Sequence, residues 1–92
     1  MRKLVVVSSA AAILVAGAVA AQAGSLGRPC TAAAQNQWLS IAALQSKVEA
    51  QGYKVQKAKL KNACGELYVL DKNGGRVELF VDPTNGNIVG QL

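Results

Sequence analysis

Residues 66–81 read ELYVLDKNGGRVELFV. Two alternating runs flank a cluster of turn formers. In the first run Leu67 and Val69 share one side, and Tyr68 and Leu70 the other. In the second, Val77, Leu79 and Val81 share one side, and Glu78 and Phe80 the other. A period of two over such lengths marks a strand rather than a helix. Between them stands Asp71-Lys72-Asn73-Gly74-Gly75, where Asn and Gly accept the positive φ that tight hairpin turns require. The stretch is therefore a β-hairpin, with strands over 66–70 and 76–81.

Downstream, Asp82-Pro83-Thr84-Asn85-Gly86 forms another turn, with Pro fixing φ. Residues 87–90 then supply a short last strand. Upstream, 62–65 is turn-like and 53–60 reads as a first strand. Val55 and Leu60 have opposite parity there, which predicts a bulge or a late start.

Further upstream the period lengthens. From Trp38 to Gln51, Ile41, Leu44 and Val48 recur on one helical face. Ser40 can accept from an orphan backbone N–H as N-cap, and Gly52 ends the helix. Trp38 is placed to fold onto the first turn as a hydrophobic staple. Its ring reads as a core aromatic; the rival reading is a binding anchor. Residues 24–29 read as a short flexible lead. A helix with an apolar stripe must bury it, and a sheet face is the large apolar surface on offer. The expected fold class is α+β, one helix packed on a three- to four-stranded antiparallel sheet.

The beginning of the chain has a different character. Arg2 and Lys3 precede an apolar run from Leu4 to Ala21, and Ala21-Gln22-Ala23 is a small-x-small cleavage signature. The expectation is a signal peptide over 1–23 and a single domain over 24–92. The rival is a retained anchor, since the run approaches the length that spans a bilayer; the Ala and Gly content and the Ala-x-Ala end favour cleavage. Export places the protein in a periplasm or outside the cell, with no stable membrane anchor left after processing.

Charge and composition exclude several functions. Residues 24–92 hold eight basic residues against five acids, a net charge of +3. That is too sparse for a nucleic-acid binder. The chain has no His, the commonest general base and metal ligand. Cys30 and Cys64 are its two cysteines. An exported domain this small is read as stapled by a Cys30–Cys64 disulfide. Two thiolates alone do not make a zinc site, and their spacing is not that of a C-x-x-C redox motif. Glu66 and Glu78 sit on neighbouring strands and could form a carboxylate pair of glycosidase type. The preferred reading is two charges on a solvated sheet face. No phosphate-binding glycine motif is present. These residues indicate no catalytic group, metal or cofactor.

Lys57, Lys59 and Lys61 project to one side of the first strand. They read as the guard of an edge strand. The alternative is a docking patch for an acidic partner or an anionic surface. No aromatics interleave them, which argues against single-stranded nucleic acid.

Several segments together resemble the PepSY family. They are Gly52-Tyr53-Lys54-Val55, Asp71-Lys72-Asn73-Gly74, the run from Val77 to Pro83, and Gly86-Asn87-Ile88-Val89. Cys30 ahead of Trp38-Leu39-Ser40, and Cys64 ahead of the second strand, are similar to its small exported single-domain branch. Two positions depart from the pattern. Asn85 replaces a Thr in the turn, and Gly65 replaces an aromatic after the second Cys, which would loosen the start of that strand. The resemblance implies a helix on an antiparallel sheet and a non-catalytic domain that inhibits or regulates peptidases. It carries over no catalytic residue. The expected partner is a protein, with an exported peptidase as the candidate. The alternative is a cell-envelope interaction protein that docks anionic surfaces through the lysines. Partner contact is expected at Tyr68 and Phe80, on a sheet face turned away from the helix, and at Lys57, Lys59 and Lys61. The rival for the two rings is a cover supplied by the N-terminal segment or by a second copy.

Overall fold

The computed structural model describes residues Gly24–Leu92. The expected signal peptide over 1–23 lies outside the described residues. The order is a 3-10 turn (Gln35–Gln37), helix α1 (Ile41–Glu49), and strands β1 (Lys54–Lys61), β2 (Cys64–Leu70), β3 (Arg76–Val81) and β4 (Ile88–Gln91). The strands form one antiparallel sheet in the order β1-β2-β3-β4. This is the expected α+β architecture.

Local chemistry sets each boundary. Ser40 Oγ accepts from the Ala43 N–H at 3.1 Å and starts α1. The Gly52 N–H reaches Glu49 O at 3.0 Å beyond its end. In the β2–β3 turn Asp71 Oδ1 accepts from the N–H groups of Asn73 and Gly75, at 2.9 and 2.8 Å. Gly74 takes φ 83° there, so the hairpin closes where the sequence places it. After β3, Asp82 Oδ1 accepts from the Thr84 N–H at 2.9 Å and from its hydroxyl at 2.6 Å. The β1–β2 connection is tighter than expected. Asn62 and Ala63 both adopt positive φ, 55° and 60°, so β2 begins at Cys64 rather than at 66.

The expected bulge lies in β1. Val55 pairs with Val69 and Lys57 with Tyr68, so Gln56 is the extra residue. It corrects the parity, letting Val55, Ala58 and Leu60 all join the same core. That core holds Leu44 and Val48 of α1 against Leu67, Val69, Leu79 and Val81. Helix α1 lies over β1 and β2.

Three core expectations need correction. Ile41 is exposed, because α1 turns only Leu44 and Val48 fully inward. Trp38 lies outside the core cluster; its indole N–H donates to Ala33 O at 3.0 Å instead. Leu39 is the residue before the cap that packs on the core, and its N–H holds Pro83 O at 2.7 Å. Gly65 does not loosen β2. It is buried and paired with Leu60 and Val81. A Cβ built on it would stand 2.6 Å from Val81 Cγ2 and 3.2 Å from Leu44 Cδ1. An aromatic there would push the helix off the sheet.

No helix among the described residues is long and apolar enough to cross a membrane.

Candidate functional site

The sheet face turned away from α1 carries the chemistry. Register fixes its rows. One runs Lys59, Glu66, Phe80 and Gly90, and the next runs Lys57, Tyr68 and Glu78. The Glu78 row is extended by Leu92, whose N–H and C=O both bond the Glu78 backbone, at 2.9 and 3.1 Å. Lys61 lies opposite Cys64. Every side chain expected to touch a partner therefore lies on this one face, as strand parity indicates.

The face is not open. Residues 24–30 cross it as a strap. The Gly24 N–H donates to Glu78 Oε1 at 3.0 Å. Leu26 lies over Gly90, where a built Cβ would stand 2.6 Å from Leu26 Cδ1 and 3.9 Å from Phe80 Cδ2. At the other end the Cys30 N–H holds Ala63 O at 3.3 Å. A disulfide joins Cys30 to Cys64, with the Cα atoms 4.9 Å apart. The stretch expected as a flexible lead is thus tied down at three places.

This cover changes the expected environment of four residues. Phe80 is on the expected face but only 1% exposed, because the strap lies over it. Glu66 and Glu78, expected on a solvated face, are 2% and 7% exposed. One oxygen of each, Glu66 Oε1 and Glu78 Oε2, is buried with no hydrogen-bond partner. Tyr68 stays half-buried at the margin of the strap. Its phenol is pushed above its ordinary range, first by burial, then by the negative charges of Glu78 and Glu66, and by hydrogen bonding to Glu78.

The lysines divide by their surroundings. Lys57 and Lys61 are exposed on β1, an edge strand. Lys59 is half-buried, with Nζ 3.9 Å from Glu66 Oε1 and 5.9 Å from the centre of the Tyr68 ring. It compensates a buried carboxylate, a role that the alternation of lysines along β1 does not reveal.

Beside the strap a crevice of about 490 Å³ remains open, with Gln56, Tyr68, Leu70, Arg76 and Glu78 on its walls. Gln56, the bulged residue that the parity conflict of β1 announces, lines it. Arg76 was not singled out by sequence reasoning; its place as the β3 partner of Leu70 puts it at the rim. Among the described residues no three His, Cys, Asp or Glu side chains gather as metal ligands. What the face offers chemically is an aromatic ring, buried carboxylates and exposed cations on a rigid sheet, which suits contact with another chain.

No curated protein and no solved structure matches the chain. A family model described as peptidase propeptide and YPEB domain matches residues 7–91, a span that starts inside the apolar run read as a leader. The strand order, the turns that close it and that match together carry one conclusion: the chain belongs to the PepSY family, in its peptidase propeptide and YPEB group.

Proposed function

We propose that this chain is an exported, non-catalytic binding module that restrains a peptidase in the compartment to which it is exported. The observation that carries the reading is membership, over residues 7–91, of a family described by peptidase propeptides. The docking surface we assign is the open crevice and its rim. There Tyr68 supplies an aromatic contact and Arg76 an exposed cation, while Lys57 and Lys61 stand exposed along the adjoining edge strand. Phe80 supports that surface from beneath the strap. Cys30 and Cys64 hold the strap at one end.

The experiment is an inhibition assay. The processed protein is titrated against peptidases secreted by its own host, with native protein and a Tyr68→Ser, Arg76→Ser variant side by side. Saturable inhibition that the variant loses, with its far-ultraviolet dichroism intact, supports the proposal. Absence of inhibition or capture of any exported peptidase by the native protein overturns it.

The exposure of Lys57 and Lys61 along an edge strand favours a second reading, docking to an anionic surface of the cell envelope. Salt separates the two. A contact made by exposed charges weakens steeply as ionic strength rises, whereas docking through Tyr68 persists. Retention on anionic vesicles at low salt, lost in a Lys57→Gln, Lys61→Gln variant, would favour the second.

A further inference from the structure

Glu78 is a buried acid with an unfinished environment. Its Oε1 accepts the Gly24 N–H at 3.0 Å, while its Oε2 is buried and has no partner. Isolated buried carboxylates are costly unless a positive charge or further donors reach them. Lys59, the cation on this face nearest a carboxylate, faces Glu66. The register partner of Glu78 on β2 is Tyr68, whose phenol interacts with the Glu78 carboxylate as a neutral hydrogen-bonding group and brings no positive charge.

The missing charge is supplied by chemistry the sequence already encodes. Ala21-Gln22-Ala23 places the cleavage between Ala23 and Gly24. Hydrolysis of that peptide bond adds water across it, leaving a carboxylate on Ala23 and an amine on Gly24. At neutral pH most of that amine is protonated, so one neutral N–H becomes an ammonium with three donors. The nitrogen concerned is the one that already touches Glu78. Leu92 closes beside it, so that a side chain on residue 24 would run into Leu92 Cδ1.

We propose that Glu78 is the seat of the mature protein's α-ammonium: cleavage after Ala23 creates a cation that pairs with the Glu78 carboxylate and latches the strap over Phe80. Processing is then more than removal of an address. It converts a hydrogen bond from a neutral amide to the carboxylate into an ion pair in which donor and acceptor are both charged. The inference rests on the reading of 1–23 as a cleaved signal. It is independent of what the outer face binds.

The test compares exported proteins made from the full chain. One is native. In the other, two serines are inserted between Ala23 and Gly24, which moves the α-amine away by about 3.3–3.6 Å per residue of extended chain. Each is also made with Glu78→Gln. The native protein should melt about 4–8 °C above the extended one, the shift that roughly one charge-assisted contact gives a domain of this size. With Glu78→Gln the two should melt together. Equal melting in the native background, or the same drop in both backgrounds, overturns the proposal. A second measurement needs no variant. Cyanate modifies the unprotonated α-amine, so the folded protein should react about tenfold more slowly than the reduced, unfolded chain, and equal rates overturn the seat. Intact mass tests the premise separately. A chain starting elsewhere than Gly24 overturns the cleavage reading, whereas a correct start with unchanged melting overturns only the role of Glu78.

Discussion

Lys59 Nζ stands 3.9 Å from Glu66 Oε1 across the β1–β2 ladder, and the two side chains differ sharply in exposure, 35% against 3%. The carboxylate is held out of water while its cation is not. Replacing Lys59 by Met leaves Glu66 buried without a counter-charge. A fully buried broken pair costs several kcal/mol; the exposure of Lys59 screens this one, and we expect about 1–2 kcal/mol. Lys57→Met and Lys61→Met, with both parents exposed, should change stability by less than about 0.5 kcal/mol. Urea unfolding of the three variants checks this. Equal effects at all three positions would place the cost in general strand chemistry rather than in the pair.

Tyr68 gives the fold an alkaline weakness. Its phenol sits above the ordinary value of 10.0, through burial and then through Glu78 and Glu66. The unfolded chain therefore releases this proton at lower pH than the folded one does. Over that interval the native state binds more protons, so stability falls as pH rises. The contribution is intact below 10.0 and is lost progressively above it. Tyr68→Phe should flatten that part of the stability curve. Phenolate absorbance during an alkaline titration, paired with urea midpoints, gives the readout.

Gly65 sits beside Val81 of the neighbouring strand and beneath Leu44 of the helix, with no room for a side chain. Ala at this position places a methyl 2.6 Å from Val81 Cγ2 and 3.2 Å from Leu44 Cδ1, both in the core. Neither neighbour is a free end in solvent, so Val81 and Leu44 must repack around the added methyl. We expect Gly65→Ala to destabilise by about 1–3 kcal/mol, the usual cost of overpacking. Ser at Gly75 tests a different contact, since a Cβ there would stand 2.9 Å from the Asp71 carboxylate that closes the hairpin turn.

The hairpin, the helix cap and the β1 bulge were legible because each is decided within a few residues. Ser40 and Gly52 act on adjacent backbone, and the conflict between Val55 and Leu60 is visible as parity. The strap was legible only as the rival reading, a cover of the two rings by the N-terminal segment; its anchor at Glu78 was not. Gly24 and Glu78 lie 54 positions apart, and nothing local in Gly-Ser-Leu-Gly-Arg-Pro announces a cover. The same blind spot put Glu66 and Glu78 in water. Strand parity says which face a residue is on, not what lies over that face. For Phe80 the sequence reached the right face, and only the packing of Leu26 fixed its burial.

The Cys30–Cys64 disulfide ties that cover to the sheet. It spans a sequence separation of 34. Closing such a loop in the unfolded chain corresponds to roughly 4 kcal/mol in the chain-entropy model. For a domain this small that approaches the whole stability, about 5 kcal/mol. The position of the bond adds a second consequence. Cys30 is the last residue of the strap and Cys64 the first of β2, so reduction frees the strap at one end while Gly24 still holds Glu78 at the other. Loss of order should therefore begin on the outer face. Amide exchange should rise first over residues 24–30 and along β3 near Phe80, before the Leu44–Leu79 core opens. Thiol titration before and after reduction, with exchange followed by mass spectrometry, separates this order from a single concerted unfolding. Simultaneous exposure of both regions would show that the strap is part of one cooperative unit with the core.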